Sequence, residues 1–265
     1  MKKVIIGLIV ISSILIIILM FLNKKEDKSI LYSWSMETIT DKELLTIIDK
    51  HDIDTLYQDF STEYLSLKDN AFIIKMEYND VDVFHLCGEK EWGYEENAES
   101  LKKEIDKVLN YNKSNKYKIK GIVFDIEPYQ NEKNIENFDF SLYVSILKKA
   151  YAYANSNNLK MVIAIPIWFD SIDKKLLEEL ISDACDEISL MNYNIKYTKE
   201  HMKEEIKLAK KYNKKINTIY EINFGEDNYF SNYREIEEDF NKIKNEYQYS
   251  NLKKAYHYYE MMKEN

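Results

Sequence analysis

Glycine is scarce in this chain, five among 265 residues. Loops that wrap phosphate lean on glycine, because only glycine lets the backbone come close to a ligand without steric cost. Cysteine is scarcer still, with Cys87 and Cys185 alone. No CxxC or HExxH spacing occurs and the four histidines are scattered. No structural zinc follows from such a pattern, and no metal or cofactor is expected. Positive charge is also in deficit, for the chain carries a net charge of -9. Residues 1–28 hold five lysines and two acids, a net +3, which leaves -12 on the remainder. A domain that acidic repels a nucleic-acid backbone, so nucleic-acid binding is excluded as a function.

One long uncharged run stands out. Val4–Leu22 is 19 residues without a charge, with Lys2 and Lys3 before it and Lys24, Lys25 and Lys28 after it. About twenty apolar residues span a bilayer as a helix. No Ala-x-Ala cleavage site follows Leu22 and no cysteine lies near enough for a lipid anchor. The expectation is an uncleaved single-pass anchor over residues 1–28, linker included, with a cleaved signal and secretion as the alternative. The short basic N-terminus favours N-inside, which puts residues 29–265 outside the cytoplasm at the cell membrane.

Beyond the linker, strand-like and helix-like patterns alternate. Strands are expected at Ile30–Met36, Asp54–Phe60, Val81–Cys87, Ile119–Glu127, Leu159–Ile167, Glu187–Tyr193, Lys215–Ile222 and Lys254–Tyr259. Helices are expected near Glu63–Tyr78, Glu95–Asn112, Phe140–Asn155, Ser171–Ile181, Lys199–Tyr212 and Arg234–Tyr247, and one more after Thr40-Asp-Lys-Glu43, which reads as a capping box. Leu101, Ile105, Val108 and Leu109 show the apolar spacing of three and four. Eight strands with seven intervening helices match one (β/α)8 barrel over residues 29–265. An open doubly wound sheet is the alternative. The eighth helix is expected to be missing or a stub. Cys87 at the end of one strand and Cys185 before another fall on opposite barrel faces, too far apart for a disulfide. The nearest approach to a phosphate-binding turn after the seventh strand is Glu221-Ile-Asn-Phe-Gly225, a poor one, so phosphorylated substrates are disfavoured.

The segment Lys120–Tyr129 carries the most information. Side chains in a strand alternate faces, so Gly121, Val123, Asp125 and Glu127 share one face and Ile122, Phe124 and Ile126 the other. Two acids on an otherwise apolar strand are costly unless something pairs or uses them. Parallel barrels keep their chemistry at the C-terminal strand ends. Aligned there, the rim holds Trp34, Asp59, His85, Asp125, Glu127, Trp168, Tyr193, Glu221, His257 and Tyr259. Aromatic faces stack on sugar rings, and carboxylates protonate a leaving oxygen and stabilise an oxocarbenium-like transition state. Each residue also has an ordinary reading: a paired rim acid, a tryptophan plugging the mouth, a hydrogen-bonded histidine. Trp92 and Tyr94, on the loop after the third strand, read as a lid or as loop packing. The 22 tyrosines suit a sugar surface equally well as an AT-rich codon bias.

Phe124-Asp125-Ile126-Glu127 resembles the end of the family 18 chitinase signature, DGxDxDxE, and Leu190-Met191-Asn192-Tyr193 is similar to that family's Met-x-Tyr on the sixth strand. Lys120 and Val123 replace the first two aspartates of the signature. The resemblance implies Glu127 as general acid, with Asp125 and Tyr193 holding the substrate's acetamido group, which itself acts as nucleophile. Met191, Trp168, Trp34, Asp59, His257 and Tyr259 would line the substrate site. Glu127-Pro128 and Glu221 also resemble the acid/base and nucleophile of clan A barrels, with Ile126 where that clan usually has Asn. On that second resemblance the two carboxyls act as a retaining pair about 5–5.5 Å apart. Either implies cleavage of a β-glycosidic bond, the first in an amino-sugar polymer such as cell-wall glycan or chitin. The rival expectation is a silent barrel that binds glycan or a partner protein at the envelope. Silent chitinase-like barrels typically lose the acid glutamate, and Glu127 is retained.

Overall fold

A computed structural model of the chain describes residues 27–60, 65–131, 138–223 and 228–263. Eight strands close a parallel barrel in sequence order. They are β1 (Ser29–Ser33), β2 (Ile53–Asp59), β3 (Asp82–Cys87), β4 (Gly121–Phe124), β5 (Lys160–Pro166), β6 (Glu187–Met191), β7 (Lys215–Glu221) and β8 (Leu252–His257). β8 returns to β1 in the register Ser29↔Lys254, Ile30↔Ala255 and Leu31↔Tyr256. That closure excludes the open doubly wound sheet.

The connecting helices are α1 (Leu44–Lys50), α2 (Leu67–Glu77), α3 (Glu99–Ser114), α4 (Phe140–Ser156), α5 (Lys174–Asp183), α6 (Lys203–Tyr212) and α7 (Tyr233–Tyr247). Among the described residues, β8 is followed by α8 (Tyr259–Lys263), a turn and a half. Short unlabelled turns such as Pro128–Asn131 sit in the loops at the strand C-termini.

The strands are apolar on both faces because both are covered. Ile30, Tyr32, Tyr57, Phe84, Leu86, Val123, Val162, Ile219 and Ala255 fill the barrel interior. The opposite faces meet the helices in a larger cluster, where Leu101, Ile105 and Val108 of α3 are fully buried. Each such side chain contributes about 1.5–3 kcal/mol. Tyr111 completes that stripe, whereas Leu109 is only half-buried. Low in the barrel lies a polar floor. The Tyr57 hydroxyl donates to Glu187 Oε1 at 3.2 Å, Asn217 Nδ2 donates to the same oxygen at 3.0 Å, and Ser189 Oγ donates to Asn217 Oδ1 at 2.8 Å.

Helix starts differ from expectation in instructive ways. The capping box expected at Thr40–Glu43 does not form. Thr40 ends the preceding 3-10 turn and spends its hydroxyl on the Glu37 carbonyl at 3.2 Å, while Glu43 at the cap makes no side-chain capping bond. A true capping box opens α2, where Ser66 and Asp69 bond each other's backbone N–H. α5 starts at Lys174 rather than near Ser171, because Asp173 Oδ1 accepts from the N–H groups of Lys175 and Leu176. In the first turn of α6, Glu205 is 1% exposed and its carboxylate has no hydrogen-bond partner on another residue. Burial pushes that carboxyl up to about 8. Both cysteines are buried and free.

No helix among the described residues is long and apolar enough to cross a membrane. The expected anchor, Val4–Leu22, lies outside the described residues.

Candidate functional site

The ladder of β4 stops at Phe124, but the chain runs on extended, and the Asp125 N–H still reaches the Cys87 carbonyl at 3.0 Å. Period-two alternation from interior Val123 therefore carries Asp125 to the barrel mouth. Asp125 as a residue is partly open to the mouth, yet its Oδ1 is sealed from solvent and has no hydrogen-bond partner. Burial first, and the charge of Glu127 second, push its carboxyl up to about 7, and His257 pulls the other way.

Glu127 is oriented by a neighbour that the sequence reading missed. Pro128 opens a 3-10 turn that brings Tyr129 back over the acid, and the Tyr129 hydroxyl donates to Glu127 Oε2 at 2.8 Å. Trp168 holds the Tyr129 ring edge-on, with centroids 4.9 Å apart. Behind the acids, the buried Tyr143 hydroxyl donates to the Ile126 carbonyl at 3.3 Å, tying down the residue between them. Burial raises the Tyr129 phenol far above its ordinary range, so it stays a proton donor to Glu127.

Across the barrel, Tyr193 follows β6 and stacks on His257, centroids 5.7 Å apart at 28°. Burial and then the charges of Asp125, Glu221 and Glu127 raise its phenol. Glu221, the last residue of β7, lies beside His257, the last residue of β8, with Oε2 3.6 Å from Nδ1. Met191 and Trp34 pack with Tyr193 onto the interior cluster. Trp34 and Asp59 also line a cleft of about 600 Å³, shared with Gly88, Glu89 and Trp92. The Tyr94 hydroxyl donates to the Pro128 carbonyl at 2.9 Å, which fastens the loop after β3 to the turn that carries Tyr129.

Two expected rim residues are engaged differently: Tyr259 is away from the mouth, and His85 borders the cleft of Trp34 and Asp59 but spends its ring on a helix. Tyr259 sits in α8, buried in the outer layer between strands and helices beside Asp41, because the chain has already turned away from the barrel axis after β8. His85 is out of phase with interior Phe84 and Leu86 and therefore points at α3. There its Nε2 meets Glu104 Oε2 at 2.8 Å, and Lys107 Nζ lies 3.1 Å from the same oxygen. Burial works against the Glu104 carboxylate, but His85 and Lys107 together hold it below its ordinary range. His85, Cys87 and Glu104 bring ligating atoms within 4.8 Å of one another. Lys107 already supplies the counter-charge to Glu104, while burial keeps the Cys87 thiol protonated and the thiol donates to the Val123 carbonyl at 3.8 Å.

No family model and no curated protein matches the chain. Solved structures do. A GH18 chitinase from Pseudoalteromonas aurantia superposes with a TM-score of 0.59 at 13% identity, covering 86% of this chain and 92% of its own. The fold is that of the chitinase-like barrels. A putative alpha-L-fucosidase from Bacteroides thetaiotaomicron gives 0.57 at 13% identity, over 88% of this chain and 86% of that one. The spore cortex-lytic enzyme SleL of Bacillus megaterium gives 0.56 at 13% identity, over 88% and 70%. At such identities the likeness is one of fold, and activity has to be argued from the side chains.

Proposed function

We propose that the chain is a glycoside hydrolase that cleaves a β-glycosidic bond in an amino-sugar polymer, with Glu127 as general acid. The observation that carries this reading is the buried, unpartnered Oδ1 of Asp125, two residues from an acid held in place by Tyr129. A buried carboxylate oxygen without a donor is costly. The N–H of a 2-acetamido group is a donor of the right kind, and Tyr193 would meet the same group from the opposite wall. In the first step Glu127 gives its proton to the leaving glycosidic oxygen as the C1–O bond breaks. The acetamido carbonyl oxygen closes on C1, and the positive charge then spread over its C–N unit is balanced by Asp125. Water next adds to C1, Glu127 recovers a proton from it, and the acetamido group is released unchanged.

Trp168 and Trp34 would present flat faces to neighbouring sugar rings, with Asp59 as a polar contact. That some fold neighbours are named for chitinase or cortex-lytic activity supports a polysaccharide partner. Val4–Leu22 and its flanking lysines support single-pass attachment at the cell membrane, barrel outward, which puts wall glycan within reach. Fractionation with protease accessibility checks the attachment. A protein recovered wholly in the soluble fraction would refute it.

The deciding experiment is hydrolysis of a panel of chromogenic β-glycosides and purified peptidoglycan by residues 29–265, with Glu127→Gln alongside. Product that disappears in Glu127→Gln supports the reading. Lys120 and Val123 in place of aspartates favour one rival, a silent glycan-binding barrel. Retained glycan binding with no turnover by either form would establish that rival instead.

A further inference from the structure

All eight strands of a parallel barrel begin at one face, so the loops that precede them share that face. Here it gathers lysines, against the acidic balance of the chain. Lys113, Lys116 and Lys118 end α3 and lead into β4, Lys160 opens β5, and Lys214 and Lys215 lie at the start of β7. Five of the six are exposed and Lys214 is half-buried. None of them pairs with a carboxylate among the described residues. Lys118 donates to the Asn112 and Asn115 carbonyls, and Lys214 to the Cys185 carbonyl at 2.7 Å. Acids nearby are answered from within: Asp52 by Lys28 at 3.5 Å, Asp54 by Lys253 at 2.9 Å and Asp82 by Lys120 at 3.6 Å. Asp80, also exposed on this face, is outnumbered. The opposite face carries Glu89, Glu91, Glu95, Asp125, Glu127 and Glu221.

The N-terminal face also shows aromatic surface. Tyr78, after α2, is 73% exposed, and its ring lies 5.7 Å from that of Tyr117 with the two hydroxyls 3.0 Å apart. Lys116 Nζ sits 5.0 Å from the Tyr117 ring centre. A flat ring with a polar tip beside a lysine suits the headgroup layer of a bilayer, where tyrosine concentrates. The chain enters the barrel at this same face. Lys28 pairs with Asp52, the Ser29 N–H donates to the Asp52 carbonyl at 2.9 Å, and Lys244 Nζ meets the Asp27 carboxylate at 2.5 Å. Residues 27–29 are thereby pinned. Residues 23–26 alone separate the pinned end from Leu22, about 14 Å at full extension.

We propose that the N-terminal face is a docking surface for the anionic lipid headgroups of the membrane that holds Val4–Leu22, so that the barrel stands upright with its mouth turned away from the bilayer. The proposal rests on the attachment reading of Val4–Leu22. So short a tether keeps the face within about two Debye lengths of the surface, where its charge is felt. A tether at β1 alone leaves the barrel free to tilt. The lysines before β4 and β5 lie on the far side of the barrel from β1, so contact there fixes a second point. The acidic mouth is repelled by the same surface, which favours the same orientation. Substrate then approaches the mouth from the side away from the membrane.

The test uses the full chain with vesicles of phosphatidylcholine, with or without phosphatidylglycerol. A fluorophore is placed on Ser114→Cys at the N-terminal face or on Ser171→Cys at the mouth, both exposed positions, while Cys87 and Cys185 are buried. A quencher on the lipid headgroups reports approach. Quenching at Ser114→Cys is expected to be greater in the anionic vesicles than in the neutral ones, and the excess to fade in about 0.5 M salt. Ser171→Cys is expected to stay bright in both. Lys113→Gln, Lys116→Gln and Lys160→Gln together should lower the docking equilibrium about a hundredfold and remove the excess. Lys42→Gln, Lys90→Gln and Lys174→Gln, at the mouth end, should leave it. Flotation with the vesicles but equal quenching in both lipids, or equal loss from both triple variants, would overturn the inference and leave the attachment standing. A chain that fails to float, yet shows the anionic-lipid excess, would overturn the attachment and support the docking face alone. Neither flotation nor excess would overturn both.

Discussion

Gly88 presses its α-carbon against the backbone of Asp125: a Cβ at position 88 would lie 1.8 Å from the Asp125 carbonyl oxygen. Backbone cannot yield as a flexible side-chain end can. Gly88→Ala is therefore expected to displace the end of β4 and Asp125 with it. Overpacking costs about 1–3 kcal/mol. The expected result is a folded protein with a lower melting temperature and a disproportionate loss of hydrolysis. Wild-type turnover in Gly88→Ala would mean that the position of Asp125 is not critical.

Tyr129 and Glu127 should behave as a unit. Glu127→Gln removes the transferable proton and is expected to lower kcat by about a hundredfold to ten-thousandfold. Tyr129→Phe removes only the hydroxyl that donates at 2.8 Å. A hydrogen bond to a charged group is worth about 1.5–3 kcal/mol, so a loss of roughly tenfold to a hundredfold in kcat is expected. Steady-state kinetics on both variants checks this. Equal losses would show that Tyr129 does more than orient the acid.

Asp125 makes the folded state sensitive to alkali. Its carboxyl, normally near 3.8, is pushed up to about 7 in the fold. The native state then binds a proton that the unfolded chain has lost, so stability falls as pH rises through that interval and levels off above it. Asp125→Asn removes the slope, and the gain at pH 8 is on the order of a few kcal/mol because the site is coupled to Glu127. Melting temperatures at pH 5 and pH 8 test it, with the variant expected to lose hydrolysis while it gains stability.

Glu205 adds a second slope far from the site. Burial raises its carboxyl from 4.5 to about 8. The sign is the same: stability is present at low pH and lost as pH climbs toward 8. Glu205→Gln keeps the shape without the charge and is expected to stabilise the protein at pH 7 by about 3 kcal/mol. Hydrolysis at pH 7 should be unchanged. A variant no more stable than wild type would mean that water reaches the carboxylate.

How far the sequence carries depends on the range of the physics involved. Alternation along Gly121–Glu127 put both acids on the face of Val123, and Val123 lies in the interior cluster. Spacing in Leu101, Ile105 and Val108 found the buried stripe of α3. Those are local signals. On β3 the same logic has no phase, because Val83, His85 and Cys87 alternate with Phe84 and Leu86 and both sets are apolar enough to be buried. Hence His85 was grouped with the rim although it points at α3. Tyr129 was missed because its direction depends on the turn that Pro128 starts. The approach of Glu221 to His257 depends on the register between β7 and β8, where the two residues are partners. No spacing within either strand encodes that register.

The closure of β8 onto β1 also bears on how the molecule is made. Ser29–Ser33 is synthesised before its partner Leu252–His257, with all the other strands of the barrel in between. Until β8 is made, β1 therefore has an uncovered flank of N–H and C=O groups, a template for pairing with other chains. Nascent chains interrupted before Leu252 would keep two such flanks permanently. Slow elongation, or a shortage of chaperones that shield strand edges, should then depress yield of this protein far more than any loss of stability in the finished barrel.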